Sequence, residues 1–259
     1  MTRRRNALAL TLEIGVPILL LVLWGVWSAG SQSFYFPPLT KILTTFKDTW
    51  LFSRIGSDAV PSLLRLLAGY AVACVVAIGV GLALALVPAL RKAADPLVQF
   101  LRAIPPPALL PFGILVMGVG TAMKVFIIAF VCLWPVLLNT MDGIAAIDPT
   151  LTETGRVYKI GLRDRIAYVL LPSAAPQIFA GMRNALSLAL ILMVISEMVA
   201  STNGIGYFVL QSQRSFAIPE MWSGIVLLGI LGYVLNLIFA LVERRVLRWH
   251  RGARASALT

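Results

Sequence analysis

Six apolar runs, each near the length needed to cross a membrane as a helix, dominate this sequence. A hydrocarbon core of about 30 Å requires about 20 mostly apolar residues per helix. The runs lie at residues 8–28, 66–90, 103–119, 123–141, 178–199 and 225–241. Because 59% of the residues are hydrophobic and only 13% are charged, the composition argues against a water-soluble fold. The pattern predicts a single all-α membrane domain over residues 1–259, with six transmembrane helices in contact with the lipid bilayer.

The basic residues are distributed unevenly between the two sides of the predicted membrane domain. With the N-terminus inside, sixteen of the 22 lysines and arginines fall on the cytoplasmic side and six on the outer side. The six are Lys41, Lys47, Arg54, Arg65, Lys124 and Arg214. Since basic residues are retained in the cytoplasm, both termini are predicted to be cytoplasmic. The formal charge of +11 therefore indicates membrane orientation, and no nucleic-acid partner is expected.

The outer segment between the first two predicted spans, residues 31–61, has a helical pattern of its own. Its apolar residues recur at helical spacing behind two prolines, and they are Leu39, Ile42, Leu43, Phe46 and Trp50. The pattern indicates an amphipathic helix. This helix either lies on the outer membrane surface or packs on the outer ends of the protein's own spans.

The loop between the fourth and fifth predicted spans covers residues 144–176 and is predicted to be cytoplasmic. Within it, residues 149–172 carry the signals of two short helices, and we call these residues the finger. Asp148 is suited to cap a helix that begins at Pro149 and is predicted to end at Gly161. A second short segment follows, and the prolines at 172 and 176 are predicted to break it before the fifth span. From the pattern alone, the finger is either a docking surface for a partner or an ordinary solvated connection.

A motif in the finger resolves this choice. The run from Glu153 to Lys159 is followed, after nine residues, by Val169, Leu170, Leu171 and Pro172. It resembles the "EAA" loop of ATP-binding-cassette (ABC) importer permeases, which reads Glu-Ala-Ala, three residues, Gly, nine residues, Ile, one residue, Leu-Pro. Thr154 and Gly155 replace the two alanines, and Lys159 stands where the family usually has Gly. The lysine is the most serious departure, and it suggests that the turn falls at Gly161 instead.

The resemblance covers roughly residues 37–250 and narrows to the sulfonate, taurine and nitrate branch of the family. It implies an importer permease of the bacterial inner membrane that works as a homodimer with two cytoplasmic ATPase subunits and a solute-binding protein. ATP and Mg would be bound by the ATPase, and no cofactor or metal by this chain. The ATPase-coupling residues implied are Glu153, Thr154, Gly155, Arg156, Tyr158, Lys159, Gly161, Leu171 and Pro172.

Several residues inside the apolar runs are candidates for the translocation pathway or its gates. The third span contains Pro105, Pro106, Pro107 and Pro111, which force irregular backbone that is tolerated only beside protein or a water-lined cavity. Charge in hydrocarbon costs about 3 kcal/mol or more, so ionisable residues there are functional candidates. Glu197, next to Ser196, either lines a gate or makes a structural hydrogen bond to another span. Arg183 either extends to the inner surface or meets an anionic substrate, whereas Glu13 suits a packing or interfacial role.

The sequence contains no phosphate loop of the Gly-x-x-x-x-Gly-Lys-Ser/Thr type, and no set of residues that indicates an enzyme. Energy for transport is therefore expected from a partner. A second hypothesis is a secondary transporter or channel that uses Glu197 as a proton relay, and a third is a membrane-embedded enzyme or scaffold. The resemblance implies a small anion such as an aliphatic sulfonate, taurine or nitrate as the solute, with a thiamine-precursor pyrimidine as the alternative.

Overall fold

A computed structural model describes residues 2–249, without the side chains of residues 2–14, Phe52 and Arg156. The protein is all-helical over this range. The helices are α1 (Thr2–Ala29), α2 (Leu39–Phe46), α3 (Val60–Leu86), α4 (Pro88–Ala103), α5 (Leu109–Met117), α6 (Thr121–Ala145), α7 (Pro149–Val157), α8 (Leu162–Arg165), α9 (Leu171–Val199), α10 (Ile205–Arg214) and α11 (Ile218–Val246). Wider π-helical turns join α2 to α3 over Lys47–Ala59 and α8 to α9 over Ile166–Leu170.

Helices α3, α6 and α9 form the centre of the bundle. Small residues allow their backbones to approach closely, as membrane helices require where no hydrophobic effect drives association. A Cβ atom on Gly69 of α3 would lie 2.7 Å from Ile128 of α6, and one on Gly181 of α9 would lie 2.7 Å from Asn139. Cys132 is buried here and donates its thiol to the Ala185 carbonyl at 3.2 Å. The centre of the bundle is therefore apolar and closely packed.

Four continuous helices of the described chain are long and apolar enough to cross a membrane. They cover Ser53–Leu86, Thr121–Ala145, Leu162–Val199 and Ile218–Val246. The pair Pro88–Ala103 and Pro106–Met117 would make a fifth span if counted together, and Gly15–Ala29 is a shorter apolar helix. The predicted multi-pass helical architecture is confirmed, while the count of six and the side on which the termini lie stay predictions.

The predicted third span at residues 103–119 is not a single straight helix. Residue 103 ends α4, and a bend of 84° separates α4 from the helical segment that follows. Three consecutive prolines explain the break, because they supply no backbone donors and hold Pro105 in an extended conformation. With only nine residues, α5 is about 14 Å long, so it cannot cross a bilayer alone.

The second predicted span differs at both ends. It was expected over residues 66–90, but α3 ends at Leu86, since Val87 is extended ahead of Pro88. At its start the helix is longer than predicted, because the π-helical segment continues into it. The predicted amphipathic helix of the outer segment is confirmed as α2 together with the π-helical segment after it. Ile42 of α2 and Trp50 of the π-helical segment are buried. Trp50 packs against Phe208 of α10, so this face contacts the protein itself.

The prolines at 172 and 176 do not break the chain as predicted. Helix runs without interruption from Leu162 to Val199. Its backbone widens into a π-helical turn over Ile166–Leu170, which ends two residues before Pro172. A proline in a regular α-helix clashes with the carbonyl four residues earlier, and a wider turn is one way to relieve that clash. The second arm of the finger is consequently a rigid extension of α9.

Candidate functional site

The first arm of the finger is a short, well-capped helix. As predicted, α7 begins at Pro149, and Asp148 accepts a hydrogen bond from the Thr150 backbone N–H at 2.8 Å. This bond lowers the pKa of the Asp148 carboxyl below its usual value and satisfies one of the free donors at the helix start. The hydroxyls of Thr152 and Thr154 donate to the carbonyls of Pro149 and Thr150, both at 2.7 Å. The cap fixes where α7 starts.

The turn between the two arms falls at Lys159 and not at Gly161, which corrects the predicted helix end. Lys159 has a φ of +53°, in the left-handed region that favours glycine. The Ile160 N–H bonds back to the Gly155 carbonyl at 2.9 Å, which is the 6→1 bond of a Schellman cap. Gly161 has an ordinary φ of −59° and caps α8. The lysine therefore occupies the backbone position at which the EAA loop has its glycine.

Replacing Lys159 by glycine is expected to stabilise the turn. A non-glycine residue in this conformation costs about 1 kcal/mol, so Lys159→Gly should slow hydrogen exchange of the Ile160 amide by about fivefold. Gly161→Ala is the matched control and should leave that rate unchanged, because its Cβ would meet only Asp164 at 3.9 Å. Faster exchange in Lys159→Gly, or a large effect of Gly161→Ala, would show that the turn is built differently.

The finger presents apolar side chains to its surroundings. Val157 and Tyr158 are each 77% exposed, and Leu151, Leu162 and Tyr168 are also exposed. They lie on and beside a short helix at one end of the bundle, next to exposed charged residues. Exposed apolar residues grouped in this way mark an interaction surface.

The predicted coupling residues fall into two groups. Glu153, Thr154, Tyr158, Lys159 and Gly161 are exposed on the finger. Gly155 is buried, although a Cβ there would meet only Arg165 at 3.8 Å, so the chain itself has room for alanine. Leu171 packs at the base of the finger against the buried cluster of Ile144, Ala174 and Ile178, beside Pro172. The side chains of Arg156 and Glu13 lie outside those described.

Glu197 lies at the opposite end of the bundle, in a buried polar network. Its carboxylate is 0% exposed and accepts hydrogen bonds from Arg65 at 2.7 Å, Ser62 at 2.8 Å and the Gly206 N–H at 3.1 Å. Arg65 also donates to the carbonyl and the side-chain oxygen of Asn203, at 3.2 and 2.6 Å. The network therefore ties the start of α3 to the end of α9 and to the loop before α10.

Two glycines make this network possible. Gly204 has a φ of +121°, and a Cβ there would lie 2.4 Å from the Glu197 carboxylate. Its N–H donates to Asp58 at 2.8 Å. A Cβ on Gly206 would lie 2.5 Å from the Val194 carbonyl. The loop and the start of α10 can therefore pack this closely on α9 only because both positions lack a side chain.

Arg183 and Ser196 are not part of this network. Arg183 pairs with Glu243 and lies 5.9 Å from the centre of the Phe239 ring, which links α9 to α11. Its side chain is half exposed. The Ser196 hydroxyl is buried and donates to the Met193 carbonyl within α9.

The proline segment borders a cavity of about 360 Å³. Pro106 lines it together with Arg102, Phe130 and Trp134, whereas Pro105, Pro107 and Pro111 are exposed on the single chain. The indole Nε1 of Trp134 is buried and, among the described residues, has no hydrogen-bond partner. The proline segment and the adjoining cavity are therefore accessible on the single chain and available to a partner in an assembly.

Sequence reasoning missed several members of the Glu197 network. Arg65 is predicted to lie on the outer side, but the sequence predicts no functional role for Arg65, Asp58 or Asn203. An arginine in the first turns of an apolar helix could have indicated the network, because a charged side chain there needs an acidic or polar partner.

A bundle of long apolar helices with an exposed helical finger at one end defines a multi-pass membrane protein built to engage a partner. The family described as "Binding-protein-dependent transport system inner membrane component" matches residues 75–249. This chain belongs to that family, and it is an inner-membrane permease of the ABC importer class.

Several of its relatives are named as permeases for aliphatic sulfonates, taurine or nitrate. The chain is 28% identical to "Putative aliphatic sulfonates transport permease protein SsuC" of Bacillus subtilis, over 90% of this chain and 86% of that protein. It is 27% identical to "Taurine transport system permease protein TauC" of Escherichia coli, over 93% and 90%. It is 33% identical to "Nitrate import permease protein NrtB" of Synechococcus elongatus, over 74% and 70%.

A solved structure shows the same fold. The inward-facing MetNI methionine ABC transporter matches with a TM-score of 0.63 at 21% identity, over 73% of this chain and 94% of that one. The two chains therefore share a fold.

Proposed function

We propose that this chain is the permease subunit of an importer that carries a small organic or inorganic anion into the cell, driven by partner ATPase subunits. The observation that carries the proposal is the finger. It is a capped helix followed by a rigid arm continuous with α9, and its apolar residues have no cover within the described chain. In this proposal the finger lies in the cytoplasm and inserts into the ATPase.

The rigid second arm makes the finger suitable as a lever. Because α8 and α9 form one helix of 38 residues, movement of the finger is transmitted directly to the membrane end that holds Glu197. ATP binding would close the ATPase subunits, displace the paired fingers and shift the spans between inward-open and outward-open arrangements. ATP and Mg are expected on the ATPase.

Two copies of the chain are proposed to enclose the pathway. The proline segment and the cavity beside Trp134 are exposed on the single chain and suit a surface that faces a second copy or the permeating solute. Glu197, in contrast, is enclosed and shared among three donors, which suits a structural brace. No observation favours a proton relay at this residue.

The names of the relatives support an aliphatic sulfonate, taurine or nitrate as the solute. We expect a solute-binding protein to deliver it to the outer face, as the family description indicates.

The test is uptake by proteoliposomes that contain this chain and its ATPase, with the binding protein outside. Uptake of taurine, ethanesulfonate or nitrate is expected only when the ATPase can reach ATP, and a proton gradient alone should give none. Equal uptake in vesicles that lack the ATPase would refute the proposal.

A further inference from the structure

The cavity beside the proline segment is lined by a single charged side chain, that of Arg102 in the last turn of α4. Its volume of about 360 Å³ is within the range of small-molecule sites. The other lining residues are apolar or aromatic, and they include Ile104, Phe130, Trp134, Leu138 and Leu188. The cavity therefore combines one cation with an extended apolar wall.

The cavity lies beside the middle of α6. Trp134, which lines it, is about 20 Å from the start of this helix and about 17 Å from its end, at a rise of 1.5 Å per residue. Helix α6 is long and apolar enough to cross a membrane. The cavity is therefore at the depth of the hydrocarbon core, away from the level of the lipid headgroups.

Arg102 is accessible and unpaired at this depth. Its side chain is exposed, and it makes no hydrogen bond, ion pair or ring contact with any residue that the structure describes. Arg91 of the same helix, in contrast, pairs with Asp142 at 3.6 Å. An unpaired charge in hydrocarbon is expensive, so Arg102 must face water or a ligand.

The proline segment indicates the same water-filled space independently. Pro106 lines the cavity together with Arg102, and the chain is bent by 84° at this point. Irregular backbone at membrane depth is tolerated only beside protein or a water-lined cavity. Both the charge and the backbone therefore place this cavity on the route of a permeating solute.

We propose that Arg102 holds the sulfonate group of an aliphatic sulfonate in the translocation pathway, while the alkyl chain lies against Phe130, Trp134 and Leu138. A guanidinium can donate two parallel hydrogen bonds to an oxyanion, which orients the group as well as attracting it. The apolar wall of the cavity buries the alkyl chain. This inference rests on the proposed function and narrows it to one class of solute.

The lining separates this class from taurine and nitrate. Nitrate has no alkyl group to bury. Taurine carries an ammonium group, and no acidic residue lines the cavity, so the ammonium would lose water without gaining a partner. An alkanesulfonate leaves neither part unsatisfied, and each fully buried methylene should raise its affinity by about fourfold.

The first test is equilibrium binding to the complex of the full chain with its ATPase in nanodiscs, without the binding protein. Butanesulfonate should bind saturably and more tightly than methanesulfonate. Propanesulfonate should bind more tightly than taurine, which has the same length, and uncharged butanesulfonamide should bind at least tenfold more weakly than butanesulfonate. Absence of saturable butanesulfonate binding, or equal affinity for propanesulfonate and taurine, would overturn the proposal.

Variants assign the binding to Arg102. Arg102→Gln should weaken butanesulfonate binding by at least tenfold, and Arg102→Lys by less, because lysine keeps the charge without the paired donors. Lys92→Gln is the matched control, since it removes an exposed cation from the same helix but does not line this cavity. It should bind butanesulfonate as the unsubstituted chain does. Unchanged affinity in Arg102→Gln, or an equal loss in Lys92→Gln, would place the anion elsewhere.

Uptake by proteoliposomes separates this inference from the proposed function. Arg102→Gln should lower ATP-driven uptake of butanesulfonate by at least tenfold and leave ATP hydrolysis largely intact, because the finger is unchanged. ATP-driven uptake that is equal in Arg102→Gln and the unsubstituted chain would contradict the inference and leave the proposed function standing. Uptake by the unsubstituted chain without the ATPase would instead contradict the proposed function.

Discussion

Glu197→Ala is expected to lower the free energy of unfolding by about 3–5 kcal/mol, because it leaves Arg65 as an uncompensated buried charge. The substitution also removes the acceptor used by Ser62 and by the Gly206 N–H. The loop before α10 should then detach from the bundle. The measurement is unfolding of the full chain by SDS titration in mixed micelles.

Two further variants separate charge from packing. Glu197→Gln keeps the shape and loses the charge, so its effect should be smaller than that of alanine. The double variant Arg65→Leu with Glu197→Leu removes both charges and should recover part of the stability lost in Glu197→Ala. A Glu197→Ala protein that unfolds like the unsubstituted chain would show that the network contributes no stability.

Val157→Asp combined with Tyr158→Asp is expected to abolish coupling to the ATPase. Both side chains are 77% exposed, so the change should not disturb the fold of the chain. If they are anchors of the interface, each contributes about 2 kcal/mol or more, which corresponds to about thirtyfold in affinity. ATPase affinity should be measured with the full chain in nanodiscs, alongside ATP-driven uptake.

Leu51→Asp is the matched control, since Leu51 is also apolar and exposed but belongs to the segment before α3, at the other end of the molecule. It should bind the ATPase as the unsubstituted chain does. Equal ATPase affinity in the double variant and the control would show that the finger is not part of the interface with the ATPase.

Local signals predicted the finger well and the proline-rich region less well. Asp148 and Pro149 specify the start of α7 because a cap acts within one turn. The end of α7 was misplaced, because glycine is the usual residue for a left-handed φ and Lys159 adopts this conformation instead. Apolar length predicted a span at residues 103–119, and its prolines predicted irregular backbone, which the bend of 84° confirms. Length alone did not predict that a helix ends at residue 103 and that a short one follows.

The polar network around Glu197 is formed by residues that are far apart in the sequence, and no local sequence pattern predicts such contacts. Arg65 and Glu197 are 132 residues apart in sequence and meet only because α3 and α9 pack on α6. The sequence marked Glu197 as unusual, since charge is costly in an apolar helix. It could not reveal the partner, because several outer basic residues were equally available.

The most direct test of the account is the side of the membrane on which the finger lies. Tyr158→Cys supplies an exposed thiol there, and the native Cys74 and Cys132 are buried. The thiol should escape a membrane-impermeant maleimide in intact cells, react after permeabilisation, and be protected when the ATPase is co-expressed. Labelling of Tyr158→Cys in intact cells would place the finger outside and contradict the account.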